Sequence, residues 1–282
     1  MIRNYLLTAL RNMLRHKSFT VIIVIGLTIG IAIFGLVFNY VNYEFSYDRF
    51  NEHYESIYRL ERGEWALHGT AYGPEIGQQF PEIENASRVS IIEGQGVTLK
   101  VGNRMMLMND LVYADSNFFE IFTFHFVKGN SKYCLNTANS IVLTESTARK
   151  IFGDEDPMNK SIQVNNNVVY TVTGIIEDVS RFHLNVNGVV SFLSLKEVYG
   201  NPNFLNQHDM WNYYTYLLLK TNTDPDILVG KINEYYANRF NDDEFLQFSL
   251  RPLKELYFTH VKYDIPHNSA SRPMLYIYLV VA

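Results

Sequence analysis

A long apolar segment near the start of the chain predicts a membrane span. The run from Phe19 to Val41 contains 23 residues and no charge. As a helix it would be about 34 Å long, which is enough to cross a hydrocarbon core of ~30 Å. A cleaved signal peptide is the main alternative, because basic residues precede the segment. However, the run is longer than a usual signal core, and no small-x-small cleavage site follows it before Glu44.

A different pattern precedes this span. Apolar residues recur at helical spacing in residues 2–15, and the arginines lie off that stripe. The basic residues of this part of the chain are Arg3, Arg11, Arg15 and Lys17. We therefore predict an amphipathic helix over residues 1–18 that rests on the cytoplasmic membrane surface, with these four side chains near anionic lipid. The alternative is an inward extension of the transmembrane helix.

Small residues within the span indicate a helix-packing face. Gly26 and Gly30 form a GxxxG pair, a spacing that allows close approach of a second helix in a membrane. Glycine is also common in membrane helices that pack against nothing in particular, so this alternative stays open.

The end of the chain carries a second apolar segment. After Pro273 it reads MLYIYLVVA, which is too short to cross a bilayer. We interpret residues 274–282 as the start of a second, truncated transmembrane helix. A core strand of the preceding domain is the alternative.

Charge is distributed unevenly and predicts the orientation. Residues 1–43 contain four basic residues and no acidic one, whereas the remainder holds 20 basic against 29 acidic residues, a balance of −9. The positive-inside rule places the N-terminus in the cytoplasm and residues 42–273 outside. A chain with this acidic balance is not typical of a nucleic-acid-binding protein.

The sequence of residues 42–273 predicts an α+β domain with a mixed sheet, because predicted helices alternate with predicted strands. The helix predictions are Asp48–Ile57, Gly73–Phe80, Ser116–Phe122, Thr144–Phe152 and Asp224–Phe240. The strand predictions are Ser161–Val164, Val168–Ile176, Trp211–Lys220 and Phe245–Pro252. The first two strands flank Asn165–Asn167 and predict a hairpin. Asp224 is expected to cap its helix, with Ile227, Ile232, Tyr236 and Phe240 along one side.

No motif assembles a catalytic, metal or cofactor site. The chain lacks a Walker loop, HExxH, Cys-x-x-Cys and GxSxG. The acidic run Asp154–Asp156 reads as a solvated turn, and the lone Cys134 as a packed residue. Glu177, Asp178 and His183 have the residue types for acid–base work, but they are a single trio in a segment that leaves a predicted strand. We expect a non-catalytic protein without a metal or cofactor.

Several segments resemble a known family. The opening IRNYLLTALRNMLRHKSFTVIIVIGLTIGIAI, followed by YEFSYDRFNEHYESIYRL, is similar to the start of bacterial ABC permeases of the MacB/FtsX/LolE superfamily. Residues 114–130, 140–166, 170–179 and 250–258 resemble the MacB-like periplasmic core domain. The similarity is weakest around Val179–Phe182, where family members often carry a proline and a serine.

The resemblance implies a permease subunit in the bacterial inner membrane that takes part in transport or efflux. It implies pairing with an ABC ATP-binding subunit, a dimer with a second permease copy, and contact with a periplasmic adaptor or outer-membrane partner. In such proteins the outer domain acts as a lever that relays ATP-driven motion.

Two alternatives remain open at this point. Sensor kinases and chemoreceptors share the layout of a span, an outer domain and a second span, so the chain could be the sensor region of a signalling receptor. The second alternative is a membrane-anchored envelope enzyme, which requires Glu177, Asp178 and His183 to cluster in a pocket.

Overall fold

Two helices follow one another at the start of the chain in the computed structural model. The structure describes residues 2–92, 96–165, 167–209, 212–240, 247–265 and 269–281, and of Ile2, Arg3, Leu6 and Leu10 only the backbone. Helix α1 spans Ile2–Arg15 and helix α2 spans Lys17–Glu44. His16 separates them with a non-helical backbone, so α1 is a distinct helix and not a continuation of α2.

Residues 1–46 and 270–282 form one compact unit, and residues 47–269 form another. In the first unit, helix α9 (Arg272–Val281) is the second apolar segment, so the core-strand alternative for this segment is wrong. The Tyr276 ring lies 5.8 Å from Phe45, and the Tyr278 ring lies 6.3 Å from Tyr40. Tyr276, the earlier residue of α9, lies beside Phe45 just after the end of α2, and Tyr278 lies beside Tyr40 within α2. The two helices therefore run antiparallel.

A mixed sheet forms the second unit. Its strands are β1 (Ile57–Arg62), β2 (Ile83–Ile91), β3 (Val97–Val101), β4 (Arg104–Met108), β5 (Leu111–Ala114), β6 (Phe126–Gly129), β7 (Ser140–Thr144), β8 (Ser161–Val164), β9 (Val168–Ile176), β10 (Gly188–Ser191), β11 (Tyr214–Leu219) and β12 (Phe248–Pro252). Among the described residues the order is β12-β1-β11-β2-β5-β10-β7-β9-β8-β3-β4, with β6 paired to β9. The β5–β10 and β7–β9 pairs are parallel and the others antiparallel.

Short helices cover this sheet. They are α3 (Tyr72–Gln79), α4 (Phe118–Ile121), α5 (Glu145–Phe152), α6 (Leu195–Val198), α7 (Pro225–Phe240) and α8 (Leu253–Leu256), with 3-10 turns at Phe192–Ser194 and Phe204–Asn206. Strand β11 is buried on both faces, because Tyr214, Tyr216 and Leu218 enter one apolar cluster while Leu217 and Leu219 enter another, beneath α3 and α7. A third cluster packs α5 against β3, β7, β8 and β9.

Most predicted elements form with shifted ends. The predicted hairpin exists, since β8 and β9 pair antiparallel with Val164 opposite Val168; Asn166 lies outside the described residues. Strand β11 begins after Trp211, and β12 after Phe245, both of which also lie outside the described residues. The Thr144 hydroxyl caps α5, so the predicted helix start is correct to within one residue.

Two details of the sequence interpretation are wrong. Residues 48–56 form turns instead of a helix, because Asp48 adopts a left-handed backbone (φ 62°) and its carboxylate is held by His183. Helix α7 buries Leu228, Ile232 and Tyr236, whereas Ile227 is 61% exposed. The buried face therefore follows an i, i+4, i+8 spacing that begins one residue later than predicted.

Candidate functional site

The residues predicted to contact the membrane lie on α1 and α2. Arg11, Arg15 and Lys17 are exposed, and the side chain of Arg3 lies outside the described residues. Helix α2 has 28 residues, and among the described residues it is the helix long and apolar enough to cross a membrane. Contact of the basic side chains with lipid stays a prediction, as do the boundaries 1–18, 19–41, 42–273 and 274–282.

Gly26 and Gly30 lie on an open surface of α2. A Cβ atom built on either glycine would meet nothing within 4 Å. The packing of α9 against the end of α2 therefore leaves the glycine face uncovered by the described residues. The proposed packing role of these glycines stays a prediction.

The three candidate acid–base residues do not assemble. His183 is fully buried and contacts Asp48, whereas Glu177 and Asp178 are exposed. Asp178 accepts hydrogen bonds from the amide and hydroxyl of Ser146 at the start of α5, at 3.1 and 2.5 Å. His183 and Asp178 thus have separate structural partners, and these three residues do not form the pocket that an envelope enzyme would require.

The other candidates from sequence also have ordinary structural roles. In the acidic turn, Glu155 pairs with Lys160 and Asp156 pairs with Lys128 on the protein surface. The described residues contain no group of three or more His, Cys, Asp or Glu side chains arranged to hold a metal ion. Cys134 is buried, and burial raises its thiol pKa to about 12.

A polar cavity of about 320 Å³ lies between α3 and β2, close to the turn after β5. Pro74, Gly77 and Gln78 line one side, and Asn85 and Asn117 line the other. The Asn117 amide donates to the carbonyl of Ala86 at 2.8 Å. The lining also includes the carboxylates of Glu84 and Asp115, and that of Asp115 is paired with Arg88 at 2.7 Å.

A buried ionic cluster sits on the β12, β1 and β11 strands. The Arg59 guanidinium donates to Glu61 at 2.7 Å and to Asp264 at 3.0 Å. Glu61 also accepts from Arg251 at 2.8 Å. The side chains of Arg59 and Glu61 are each only 1% exposed, and that of Asp264 is 4% exposed, so these charges are compensated by one another and not by water.

Two tyrosines of β11 extend this cluster, Tyr214 toward Asp264 and Tyr216 toward His183. The Tyr214 hydroxyl donates to Asp264 at 2.5 Å and accepts from the Ile265 amide at 3.1 Å. The Tyr216 hydroxyl lies 2.8 Å from His183 Nε2 and beside Arg59. Since the residues are two apart on a strand, both side chains point to the same face.

The other ring nitrogen of His183 and its backbone amide bind Asp48, which lies at the start of the unit formed by residues 47–269. Its backbone amide donates to Asp48 Oδ1 at 3.0 Å, and its Nδ1 lies 2.8 Å from the same oxygen. Because a carboxylate only accepts, Nδ1 carries the hydrogen that points to Asp48. The Asp48 amide donates in turn to the carbonyl of Arg181 at 2.8 Å.

Electrostatics fix the protonation state of the two tyrosines and of Arg59 at neutral pH. Burial raises the pKa of both Tyr214 and Tyr216, so the two phenols remain neutral donors. Burial alone would lower the pKa of Arg59, but Tyr216, Asp264 and Glu61 together raise it. The guanidinium therefore stays charged inside the domain.

Sequence reasoning did not find this cluster. Its members come from residues 48–61, 183, 214–216 and 251–264, and no local spacing relates these segments. The available signal was the pair of tyrosines at alternate positions of a predicted strand, together with an arginine and a glutamate in β1, Arg59 and Glu61, where apolar residues would be expected.

Comparison with solved structures places the fold. A domain of a protein assigned as a permease from Porphyromonas gingivalis is 17% identical, with a TM-score of 0.61, and the match covers 81% of this chain and 99% of that one. The periplasmic region of MacB from Actinobacillus actinomycetemcomitans is 12% identical, with a TM-score of 0.54, and the match covers 72% of this chain and 91% of that one. No curated protein matches the chain.

The fold is thus that of a permease periplasmic domain with an apolar helix before it. The family model of the MacB-like periplasmic core domain matches residues 20–235. The chain belongs to this family, and the expectation of an α+β, mixed-sheet domain of an ABC-type transporter permease is confirmed.

Proposed function

We propose that the chain is the permease subunit of an ABC-type exporter or mechanotransmission complex in the bacterial inner membrane. Its outer domain would relay the motion of a separate ATP-binding subunit across the membrane. A second permease copy would complete the complex, and a periplasmic adaptor or outer-membrane protein would receive the motion.

The observation that carries this proposal is the position of the sheet domain between two apolar helices. Helix α2 precedes the domain and helix α9 follows it, so both of its chain ends lead to apolar segments. A lever has to be tied at both ends and needs no reactive groups of its own. The separation of Glu177, Asp178 and His183 agrees with a non-catalytic role.

The orientation follows from charge. Arg11, Arg15 and Lys17 precede the apolar part of α2, whereas Glu44 ends it. We therefore propose that α1 lies at the cytoplasmic surface and that residues 42–273 are extracytoplasmic.

Co-purification tests the proposal directly. The tagged chain is extracted from its native membranes in mild detergent, and bound proteins are identified together with their ATP hydrolysis. We expect a subunit with a Walker loop, and ATP hydrolysis that vanadate inhibits. An unrelated membrane protein with the same tag provides the control.

If the chain were the sensor region of a signalling receptor, the co-purification would give a different result. If a kinase or a methyl-accepting signalling module were recovered, and no ATP-binding subunit, the proposed function would be wrong. The outer domain would then be a sensor region.

A further inference from the structure

The buried cluster connects the two ends of the outer domain. Asp48 lies four residues after the end of α2, and Asp264 lies eight residues before the start of α9. They are 216 positions apart in the chain, yet both reach strand β11 through side-chain hydrogen bonds. Asp48 is linked to Tyr216 through His183, and we call this chain of hydrogen bonds the first connection. Asp264 is hydrogen-bonded directly to Tyr214, and we call this the second connection.

We propose that Tyr214 and Tyr216 of β11 join these two connections, so that a displacement entering through either one moves the same strand. The positioning residues are His183, Tyr214, Tyr216 and Arg59. This coupling matters only if the proposed function holds, because a firm connection at both ends has a use where helix motion must be relayed.

Arg59 makes the two connections interdependent. It lies opposite Tyr216 in the β1–β11 pair, its guanidinium is 5.2 Å from the centre of the Tyr214 ring, and it donates to Asp264 at 3.0 Å. The same cation therefore contacts both tyrosines and the carboxylate of the second connection. Loss of either tyrosine hydroxyl would change the surroundings of a charge that serves both.

The charged and polar composition of the cluster suits a role in fixing one arrangement of side chains more than a role in raising the stability of the fold. Burying an ion pair costs desolvation energy, and well-packed apolar residues of similar volume often stabilise a core equally well. What ions and directional hydrogen bonds provide is a single arrangement, because a partly satisfied buried network is costly. A domain that relays motion needs a single arrangement of side chains where the two connections meet strand β11.

The first connection cannot slide without breaking several bonds at once. Asp48 has a left-handed backbone, donates its amide to Arg181, and accepts two hydrogen bonds from His183. Its neighbour Asn51 donates its side-chain amide to the carbonyl of Asp48 and accepts from the Thr123 amide. The turn is thus attached to the body of the domain on two sides.

Amide hydrogen exchange on the full chain in lipid nanodiscs tests the coupling. The reporters are the amides of Asp48, His183 and Ile265, each of which donates one of the hydrogen bonds described above. In the variant Tyr214→Phe, the Ile265 amide loses its acceptor, so faster exchange there is a local effect. Coupling predicts that exchange at Asp48 and His183 also rises, by about tenfold or more, and that Tyr216→Phe in turn raises exchange at Ile265.

Tyr113→Phe is the matched control. It removes a buried tyrosine hydroxyl on β5 that lies 3.1 Å from the hydroxyl of Tyr170, in a different part of the core. We expect it to leave all three reporter amides unchanged. If Tyr214→Phe does not fold, Asp264→Asn replaces it, since the amide keeps the volume of the carboxylate and removes its charge.

Two outcomes would overturn the proposal. Exchange that rises only next to each substitution would show that the two connections are independent, and an equal rise in Tyr113→Phe would show general loosening. The measurement requires no ATP-binding subunit. A failed co-purification would therefore remove the proposed function without changing the exchange result, and independent connections would leave the permease assignment standing.

Discussion

The guanidinium of Arg88 and the carboxylate of Asp115 form a two-pronged ion pair, with N–O distances of 2.7 and 2.8 Å. Arg88 also donates to the carbonyls of Thr70 and Leu205, and it lies over the Phe192 ring. One side chain therefore ties strand β2 to three separate segments, which makes it a centre of the fold away from the cluster on β11.

Removal of this arginine should be strongly destabilising. Arg88→Ala removes the guanidinium from two carbonyls and from a largely buried carboxylate, which keeps only the backbone amide of residue 88. Breaking a buried pair costs about 3–5 kcal/mol. Urea unfolding in detergent, followed by tryptophan fluorescence, measures the change. Lys160→Ala is the control, because it breaks the surface pair with Glu155, and we expect no measurable change from it. Equal losses in the two variants would contradict the assignment.

The free energy of unfolding should depend on pH because of the buried side chain of His68. Burial lowers its pKa to about 4, below the ordinary 6.5, and its Nε2 bonds to the carbonyl of Leu60 at 2.9 Å. Between these two values the unfolded chain binds more protons than the folded one. The contribution of the neutral imidazole is therefore complete above pH 6.5 and is lost as the pH falls toward 4, to a total of about 3 kcal/mol.

The variant His68→Gln isolates this effect. Its amide does not titrate, so the free energy of unfolding should fall less between pH 7 and pH 5 than in the wild type. His125→Gln changes an exposed histidine and should leave the wild-type pH dependence in place. The interpretation fails if His68→Gln and the wild type lose the same stability over this range.

Asp224 caps helix α7. Its Oδ1 accepts from the amides of Asp226 and Ile227 at 2.9 and 3.3 Å. Asp224→Ala should cost about 1 kcal/mol, whereas Asp224→Asn keeps a capping oxygen and should cost only a few tenths. Thermal or urea unfolding of both variants decides the matter. Unchanged stability in the alanine variant would show that the cap contributes nothing.

Gly30 tests the open face of α2. Nothing in the described residues lies within 4 Å of a Cβ atom built at this position, so Gly30→Leu should leave the outer domain folded. We expect it to weaken association of the membrane part with another helix, measured as complex size in detergent. Ala32→Leu adds similar bulk on the other side of the helix and is the control. An unchanged complex in Gly30→Leu would exclude the packing face.

Cysteine labelling tests the orientation. Cys134 is buried with a raised pKa and should not react in the folded protein. In a Cys134→Ser background, Tyr133→Cys places a thiol at a position that is 69% exposed in the wild type, and Leu14→Cys places one on α1. A membrane-impermeant maleimide added to intact spheroplasts should label the first and spare the second. The reverse pattern would invert the proposed topology.

Local patterns were enough to predict several elements. Helix α2, the β8–β9 hairpin, the start of α5 and the cap of α7 depend on nearby residues. The signals are an apolar run, a turn of asparagines, and, for α7, a side-chain oxygen next to free amides. The prediction failed at residues 48–56, where the helical pattern is real but Asp48 has a stronger partner in His183, 135 positions away in the chain.

The sequence by itself determined the length and apolar composition of α2, the charge asymmetry around it, the α+β class and the family. These follow from composition and from short-range order, which a chain carries without folding. Only the tertiary structure decided that Glu177 and Asp178 stay apart from His183, and that Asp48 and Asp264 meet on β11. The reason is physical: a buried charge is tolerated only beside its partners, and those partners come from segments that no local spacing relates.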